Sequence, residues 1–267
     1  MTFKELISSA GIPKLDAELL LAHATGHSRS WIMAHENCDT EPAAKRLFRK
    51  HAARRRKGEP LAYITGKKDF FGREFRVTKS VLIPRPCTEL LVELAIDFLG
   101  TPKDTLSEID DGIFGLAKRL APGKWTTVVD IGTGSGCIAI SLALEMKLDR
   151  VIAVDVSKKA LNVASENACE YGCNDRISFI RGDGIRFLKG MNEPFMLISN
   201  PPYLSDKTKL DPSVSKYEPA KALFSGPKGL DVLLPLSAAA RQNPFCKGII
   251  LELRKDQVSD VLRTLEN

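Results

Sequence analysis

Four residues inside "FMLISNPPYL", Asn200, Pro201, Pro202 and Tyr203, join a polar amide, two imino acids and an aromatic ring at the end of an apolar run. A residue before proline is pushed to extended geometry, so Asn200 is held straight, and the prolines fix φ through the turn. The stretch therefore offers acceptors: the Asn200 side-chain carbonyl and a proline main-chain carbonyl. Two acceptors are what a planar NH2 group needs if both its hydrogens are to be gripped. Tyr203 adds a flat face for stacking on a planar amide or base. The expected target is an amide or exocyclic amino nitrogen, a poor nucleophile because its lone pair is conjugated. Gripping its hydrogens favours pyramidalisation and the transition state. No general base stands in the motif, so proton loss is expected to follow bond formation. A purely structural double-proline turn is the blander alternative.

A second constellation is "VVDIGTGSGCIAI", where Asp130 precedes Gly132, Thr133, Gly134, Ser135 and Gly136. The glycines let a ligand approach where a Cβ would collide. A dinucleotide fingerprint wants GxGxxG, but Cys137 occupies the last position, so that reading fails. Asp130 suits a cationic amino-acid end of a ligand. Further on, "AVDVS" places Asp155 where a carboxylate can accept from ribose hydroxyls, and "IRGDG" places Asp183 where one can accept from an adenine amino group. Each acid alone could be a helix cap. Acids at the ends of three consecutive strands are harder to dismiss. The pattern resembles the motif of S-adenosylmethionine-dependent methyltransferases, whose cofactor carries an ammonium and a sulfonium. The resemblance implies S-adenosyl-L-methionine as cofactor and S-adenosyl-L-homocysteine as product. Asp130, Gly132, Thr133, Gly134, Ser135, Gly136, Asp155, Asp183, Gly184 and Asn200 would line its site.

Positioning these residues requires strands that end together. "TTVVDIG", "RVIAVDVS", "ISFIRGD", "FMLISN" and "GIILEL" are apolar, β-branched runs separated by helical stretches, which predicts a parallel, doubly wound sheet with helices on both faces. Ligands of such sheets lie beyond the carboxyl ends of the strands. Upstream, residues 1–60 read as a helical domain. Thr2 with Glu5 gives a capping box, "LDAELLLAHATG" stops at Gly26, Ser30 caps the next helix, and Pro42 opens a basic one. Residues 61–84 read as a β-hairpin linker around "DFFGREFRV", and 85–267 as the catalytic domain. After a helix ending at Gly100 comes a longer connection to residue 123, with a helix expected near Phe114 to Leu120. The strand "LELRKDQ" lacks a following glycine, and no seventh strand is evident after it. The predicted fold class is thus α/β: a Rossmann-like class I methyltransferase sheet with a small N-terminal helical domain and a β-hairpin linker.

Composition narrows the function classes. The 267 residues are 43% hydrophobic and 27% charged, ordinary globular values that exclude wholesale disorder. No apolar run approaches the length of about 20 residues that a bilayer span needs, and no leader pattern opens the chain, so a cytoplasmic protein without a membrane role is expected. The six cysteines are scattered, with no CxxC pair, and no metal site is expected. The net charge of +6 is concentrated in "KRLFRKHAARRRK", which is either a solvated helix face or a docking surface for an acidic partner.

Several motifs occur together and in order: "EPLAYITGKKDFFGREFRV", "VLIPRPCTELLVELA", "DIGTGSGCIAI", "AVDVS", "SNPPY" and "YEPAKALFSGPKGLD". Over about residues 55–232 the chain resembles the peptide-chain release factor glutamine methyltransferase family, called PrmC or HemK. The resemblance implies methyl transfer to the side-chain nitrogen of the glutamine in the Gly-Gly-Gln motif of release factors. Those factors would be the protein partner of a monomer that needs no nucleic acid. Asn200, Pro201, Pro202 and Tyr203 would be catalytic and hold the glutamine, with Arg85 on the substrate side. The sequence departs from the family pattern at Cys87, where Glu is usual, and at Gly184, where larger residues are common. The alternatives are an adenine-N6 DNA methyltransferase, since NPPY serves that chemistry too, and a non-catalytic docking protein for release factors or the ribosome.

Overall fold

The computed structural model of the chain describes residues 1–100, 103–110, 112–121, 123 and 125–266. They group into two units: Met1–Lys67 with Leu210–Tyr217, and Lys68–Lys209 with Glu218–Asn267.

The first unit holds α1 (Phe3–Ser8), α2 (Lys14–Thr25), α3 (Arg29–Ala34), α4 (Pro42–Arg56) and α5 (Leu61–Thr65). The capping box of α1 is formed, with the Glu5 N–H donating to Thr2 Oγ1 at 3.2 Å and the Thr2 N–H to Glu5 Oε2 at 3.0 Å. Gly26, at φ 74°, ends α2. The cap of α3 is Ser28, not Ser30 as expected: Ser28 is extended and its Oγ accepts from the Trp31 N–H, while Ser30 already lies in the first turn. Leu20, Leu21, Ile32 and Phe48 fill the core. Part of the basic run serves this packing. Arg54 pairs with both carboxylate oxygens of Glu59, Arg55 Nε reaches Asp16 at 2.6 Å, and Arg56 donates to the Ala10 carbonyl.

Near the start of the second unit is a hairpin of β1 (Lys67–Phe70) and β2 (Arg73–Arg76), within the 61–84 stretch expected to form one, but Leu61–Thr65 of that stretch is helix α5. Phe71 and Gly72 turn the hairpin with φ of 50° and 70°. A phenylalanine in the left-handed region costs about 1 kcal/mol, and the Phe71 N–H is held by Glu89 Oε1 at 3.0 Å. There follow α6 (Glu89–Gly100), β3 (Thr105–Asp110), β4 (Ile113–Arg119), β5 (Thr127–Ile131), α7 (Cys137–Glu145), β6 (Arg150–Asp155), α8 (Lys158–Glu170), β7 (Ile177–Arg181), α9 (Gly184–Gly190), β8 (Phe195–Ser199), α10 (Pro212–Tyr217), α11 (Leu233–Gln242), β9 (Cys246–Arg254) and α12 (Val258–Glu266). Of these, α10 belongs to the first unit.

The sheet order is β3-β4-β9-β8-β5-β6-β7, with β9, β8, β5, β6 and β7 parallel. One face is covered by apolar residues of α6 and α7, the other by those of α9, α11 and α12. The predicted Rossmann-like arrangement is present, with one local correction. The helix expected near Phe114 to Leu120 is strand β4, antiparallel to both β3 and β9. Leu116 packs into one apolar cluster and its neighbour Ala117 into the other, so the strand is covered on both faces and shows no period-two alternation. The antiparallel edge that brings the sheet to seven strands thus comes from before the first parallel strand. Residues 101, 102, 111 and 122 of this connection lie outside the described residues. No described helix is long and apolar enough to cross a membrane.

Candidate active site

Strand β5 is buried along its whole length and delivers Asp130 to the start of the glycine loop. Gly132, Gly134 and Gly136 all take positive φ, which only glycine adopts without strain. A Cβ on Gly136 would stand 3.0 Å from Ala164 Cβ, so this glycine also lets α7 and α8 approach. Asp130 is 1% exposed, and its Oδ2 accepts from Thr133 Oγ1 at 2.7 Å. Its Oδ1 is buried without a partner. Burial, with the charge of Asp155 nearby, pushes the carboxyl up to about 7 against the Thr133 bond. An orphaned carboxylate oxygen of this kind favours a cation brought by a ligand.

Asp155 lies at the end of β6, next to β5 in the sheet. Its Oδ2 accepts from the Gly134 N–H at 3.0 Å and its Oδ1 from the Ser157 N–H at 2.8 Å. Each oxygen keeps a lone pair for an incoming hydroxyl. Burial raises its pKa, and the backbone bonds oppose the rise. Asp183, two residues past β7, caps α9 through Oδ1 and the Arg186 N–H at 2.9 Å, leaving Oδ2 open. The cap reading and the ligand reading therefore coexist in this residue. A Cβ on Gly184 would fall 2.4 Å from Ile131 Cγ2, so Ile131 takes the space that a larger residue would need.

Strand β8 ends beside the glycine loop: Ile198 is in register with Asp130, and Ser199 Oγ donates to the Ile131 carbonyl at 2.7 Å. Asn200 follows, and its Nδ2 donates to Thr88 Oγ1 at 2.9 Å. Thr88 Oγ1 in turn donates to Glu252 Oε2 at 2.7 Å, and the Tyr203 hydroxyl donates to Glu252 Oε1 at 2.9 Å. Glu252 is 0% exposed, in the middle of the apolar strand β9. The exit of the motif is fixed as well: Gln257 Nε2 donates to the Tyr203 carbonyl at 2.9 Å and to that of Gly229 at 3.0 Å. Beside it lies a cavity of about 420 Å³ lined by Gly112, Ile113, Tyr203, Leu204 and residues 254–256. Arg85 forms an ion pair with Glu218, a buried carboxylate that also accepts from the Ile83 N–H at 3.1 Å. The Cys87 thiol is raised by burial and by the charge of Glu252.

The structure thus brings Asp130, Thr133, the loop glycines, Asp155, Asp183 and Asn200 to the same end of adjacent strands. Pro201, Pro202 and Tyr203 follow at once. Sequence reasoning missed Thr88, Glu252 and Gln257. For Glu252 a signal was readable, since a lone carboxylate inside "GIILELR" interrupts an otherwise apolar strand. Among the described residues, no group of three or more His, Cys, Asp or Glu could hold a metal ion.

Comparison with known proteins matches the PrmC N-terminal domain to residues 2–66 and the methyltransferase small domain to residues 105–217. A release factor glutamine methyltransferase of Bordetella pertussis is 37% identical over 89% of this chain and 80% of its own. Its namesake in Nitratidesulfovibrio vulgaris is 39% identical over 90% of this chain and 74% of its own. Among solved structures, the hMettl16 catalytic domain in complex with MAT2A 3'UTR hairpin 1 shares the fold with a TM-score of 0.55. It is 14% identical over 82% of this chain and 71% of that one. With relatives of that identity spanning nearly its whole length, the chain belongs to the release factor glutamine methyltransferase family.

Proposed function

We propose that this protein transfers a methyl group from S-adenosyl-L-methionine to the side-chain amide nitrogen of the glutamine in the Gly-Gly-Gln motif of peptide-chain release factors. One observation carries the reading: Asn200 is pinned through its NH2 group to Thr88, which leaves its carbonyl oxygen as the free acceptor next to the glycine loop.

S-adenosyl-L-methionine bound in this crevice supplies an electrophilic methyl group on a positively charged sulfur and leaves as S-adenosyl-L-homocysteine. The unpartnered Asp130 Oδ1 suits its ammonium, the spare lone pairs of Asp155 suit the ribose hydroxyls, and Asp183 Oδ2 suits the adenine amino group. Gly132 to Gly136 leave room for the backbone to approach, and Gly184 borders the adenine side. Asn200 Oδ1 and a carbonyl of Pro201 or Pro202 accept from the two amide hydrogens. This grip weakens the conjugation of the nitrogen and turns its lone pair toward the methyl carbon. With the cofactor bound, the amide nitrogen held this way would take the methyl group, the C–S bonding pair would pass to sulfur, and the surplus N–H proton would leave to solvent afterwards. Tyr203 offers its ring to the planar amide, and Arg85 borders the substrate side. The first unit serves as the recognition module. A monomer acting in the cytoplasm is the working form we assign to it.

The test is incubation with methyl-labelled cofactor and a purified release factor, followed by mass spectrometric mapping. Label on the glutamine side-chain nitrogen is the expected result. Label on adenine of added duplex DNA, or no label with the release factor still bound, would replace this reading with the DNA methyltransferase or the docking protein.

A further inference from the structure

Glu252 is the only carboxylate among the described residues that meets both the Asn200 and the Tyr203 ends of the motif. A carboxylate accepts and cannot donate, so both hydroxyls touching it must spend their single proton on it. Thr88 Oγ1, having given its proton to Glu252 Oε2, can only accept from its other neighbour. The group of Asn200 that faces Thr88 is therefore obliged to be the NH2 and not the carbonyl. The Asn200 side chain also interacts with Glu252 itself, which favours the same orientation. An asparagine amide is nearly symmetric in shape, and without such a rule its two ends would exchange freely.

Resting on the function proposed above, we infer that Glu252 is a positioning residue whose negative charge, relayed by the Thr88 hydroxyl, sets which end of the Asn200 amide faces the substrate. It fixes the Tyr203 ring by the same means. Glu252 thus gives the acceptor clamp its polarity from a place the substrate never reaches. Burial raises the Glu252 pKa, while bonds from Thr88, Tyr203 and Asn200 and the charge of Arg85 pull it back. The charged or titratable groups around it are Tyr203, Cys87 and Arg85, the last already paired with Glu218. A protonated Glu252 can donate to Thr88 Oγ1, which frees the Thr88 proton for the Asn200 carbonyl and makes both amide orientations available. The clamp then loses its orientation as pH falls.

The experiment uses three variants of the full chain. Glu252→Gln keeps the shape but has one acceptor oxygen for two hydroxyls. Thr88→Val keeps the volume but cuts the relay, and Thr88→Ser keeps the hydroxyl. For Glu252→Gln and Thr88→Val we expect kcat to fall about 10- to 100-fold, the scale of a misplaced reacting group, with the cofactor Kd within about twofold of wild type. Thr88→Ser should recover most of kcat. Wild-type kcat should drop toward acid through one ionisation that Glu252→Gln lacks. Near wild-type kcat in Glu252→Gln, or equal loss in Thr88→Ser and Thr88→Val, would overturn the inference and leave Glu252 a packing residue. Because Thr88→Val strands two polar groups, melting temperatures accompany the assays, and Glu252→Gln decides if Thr88→Val unfolds. A substrate-independent readout is the side-chain NH2 resonance pair of Asn200 in protein labelled with 15N-asparagine. It should shift in Glu252→Gln and Thr88→Val and stay in place in Thr88→Ser. An unmoved resonance overturns the inference even if methylation itself is confirmed. A moved resonance without release-factor methylation upholds it and rejects the substrate reading alone.

Discussion

On the proposed function Asn200 holds the substrate and Asp155 the cofactor, and substitution separates the two roles. Asn200→Ala removes an acceptor that acts in the transition state, so kcat should fall at least about a hundredfold while the fold survives. Single-turnover methylation of a release factor measures it. Asp155→Ala removes an acceptor used by the bound cofactor, so its Kd should rise about tenfold or more. Calorimetric titration with S-adenosyl-L-methionine gives that value. An unchanged Kd would remove Asp155 from the ribose role. These two residues were legible in the sequence because their neighbours are constrained locally, by proline in one case and by the glycine loop in the other. The tie between Thr88 and Glu252 was not, although Glu252 stands out by itself as a carboxylate in an apolar strand. They meet across 164 positions of chain, and nothing in either neighbourhood announces the other.

At the scale of elements, the parallel strands were readable because each is a short β-branched run ending in a polar residue. Strand β4 was not, since "IFGLAKR" has apolar spacing that also suits a helix and its pairing with β9 is decided far away. His51 of α4 is 6% exposed, its Nδ1 has no partner, and its ring centroid lies 5.3 Å from that of His23 of α2. Burial, helped by His23, Arg54 and Lys50, lowers its pKa from 6.5 to about 4. A base with a depressed folded pKa binds its proton more readily when unfolded. Its contribution to stability is complete above about pH 6.5, is lost as pH falls toward 4, and changes no further below that. The wild-type melting temperature should therefore fall between pH 7 and 4.5 by at least about 4 °C, the shift that about 1 kcal/mol gives in a unit of this size. His51→Leu should flatten that part of the curve, as thermal melts across pH would record.

For the whole molecule, charge divides the labour. Arg54, Arg55 and Arg56 of the basic run are spent inside the helical unit, while Arg46, Arg49 and Lys50 stay exposed. Reversing the exposed three to Glu should raise the KM for a release factor about tenfold, with a weaker salt dependence, and leave the cofactor Kd unchanged. Parallel fall of both affinities would contradict separate recognition and catalytic units. Arg119 finds its partner Gly248 roughly 130 residues later, so a nascent chain leaving the ribosome displays the β3–β4 ribbon long before its mate exists. Throughout that interval Leu116 and Ala117 lie bare on opposite sides of an open hydrogen-bonding rim. An open rim of that kind is where a holding chaperone is expected to act and where pairing with a stray strand is expected to begin.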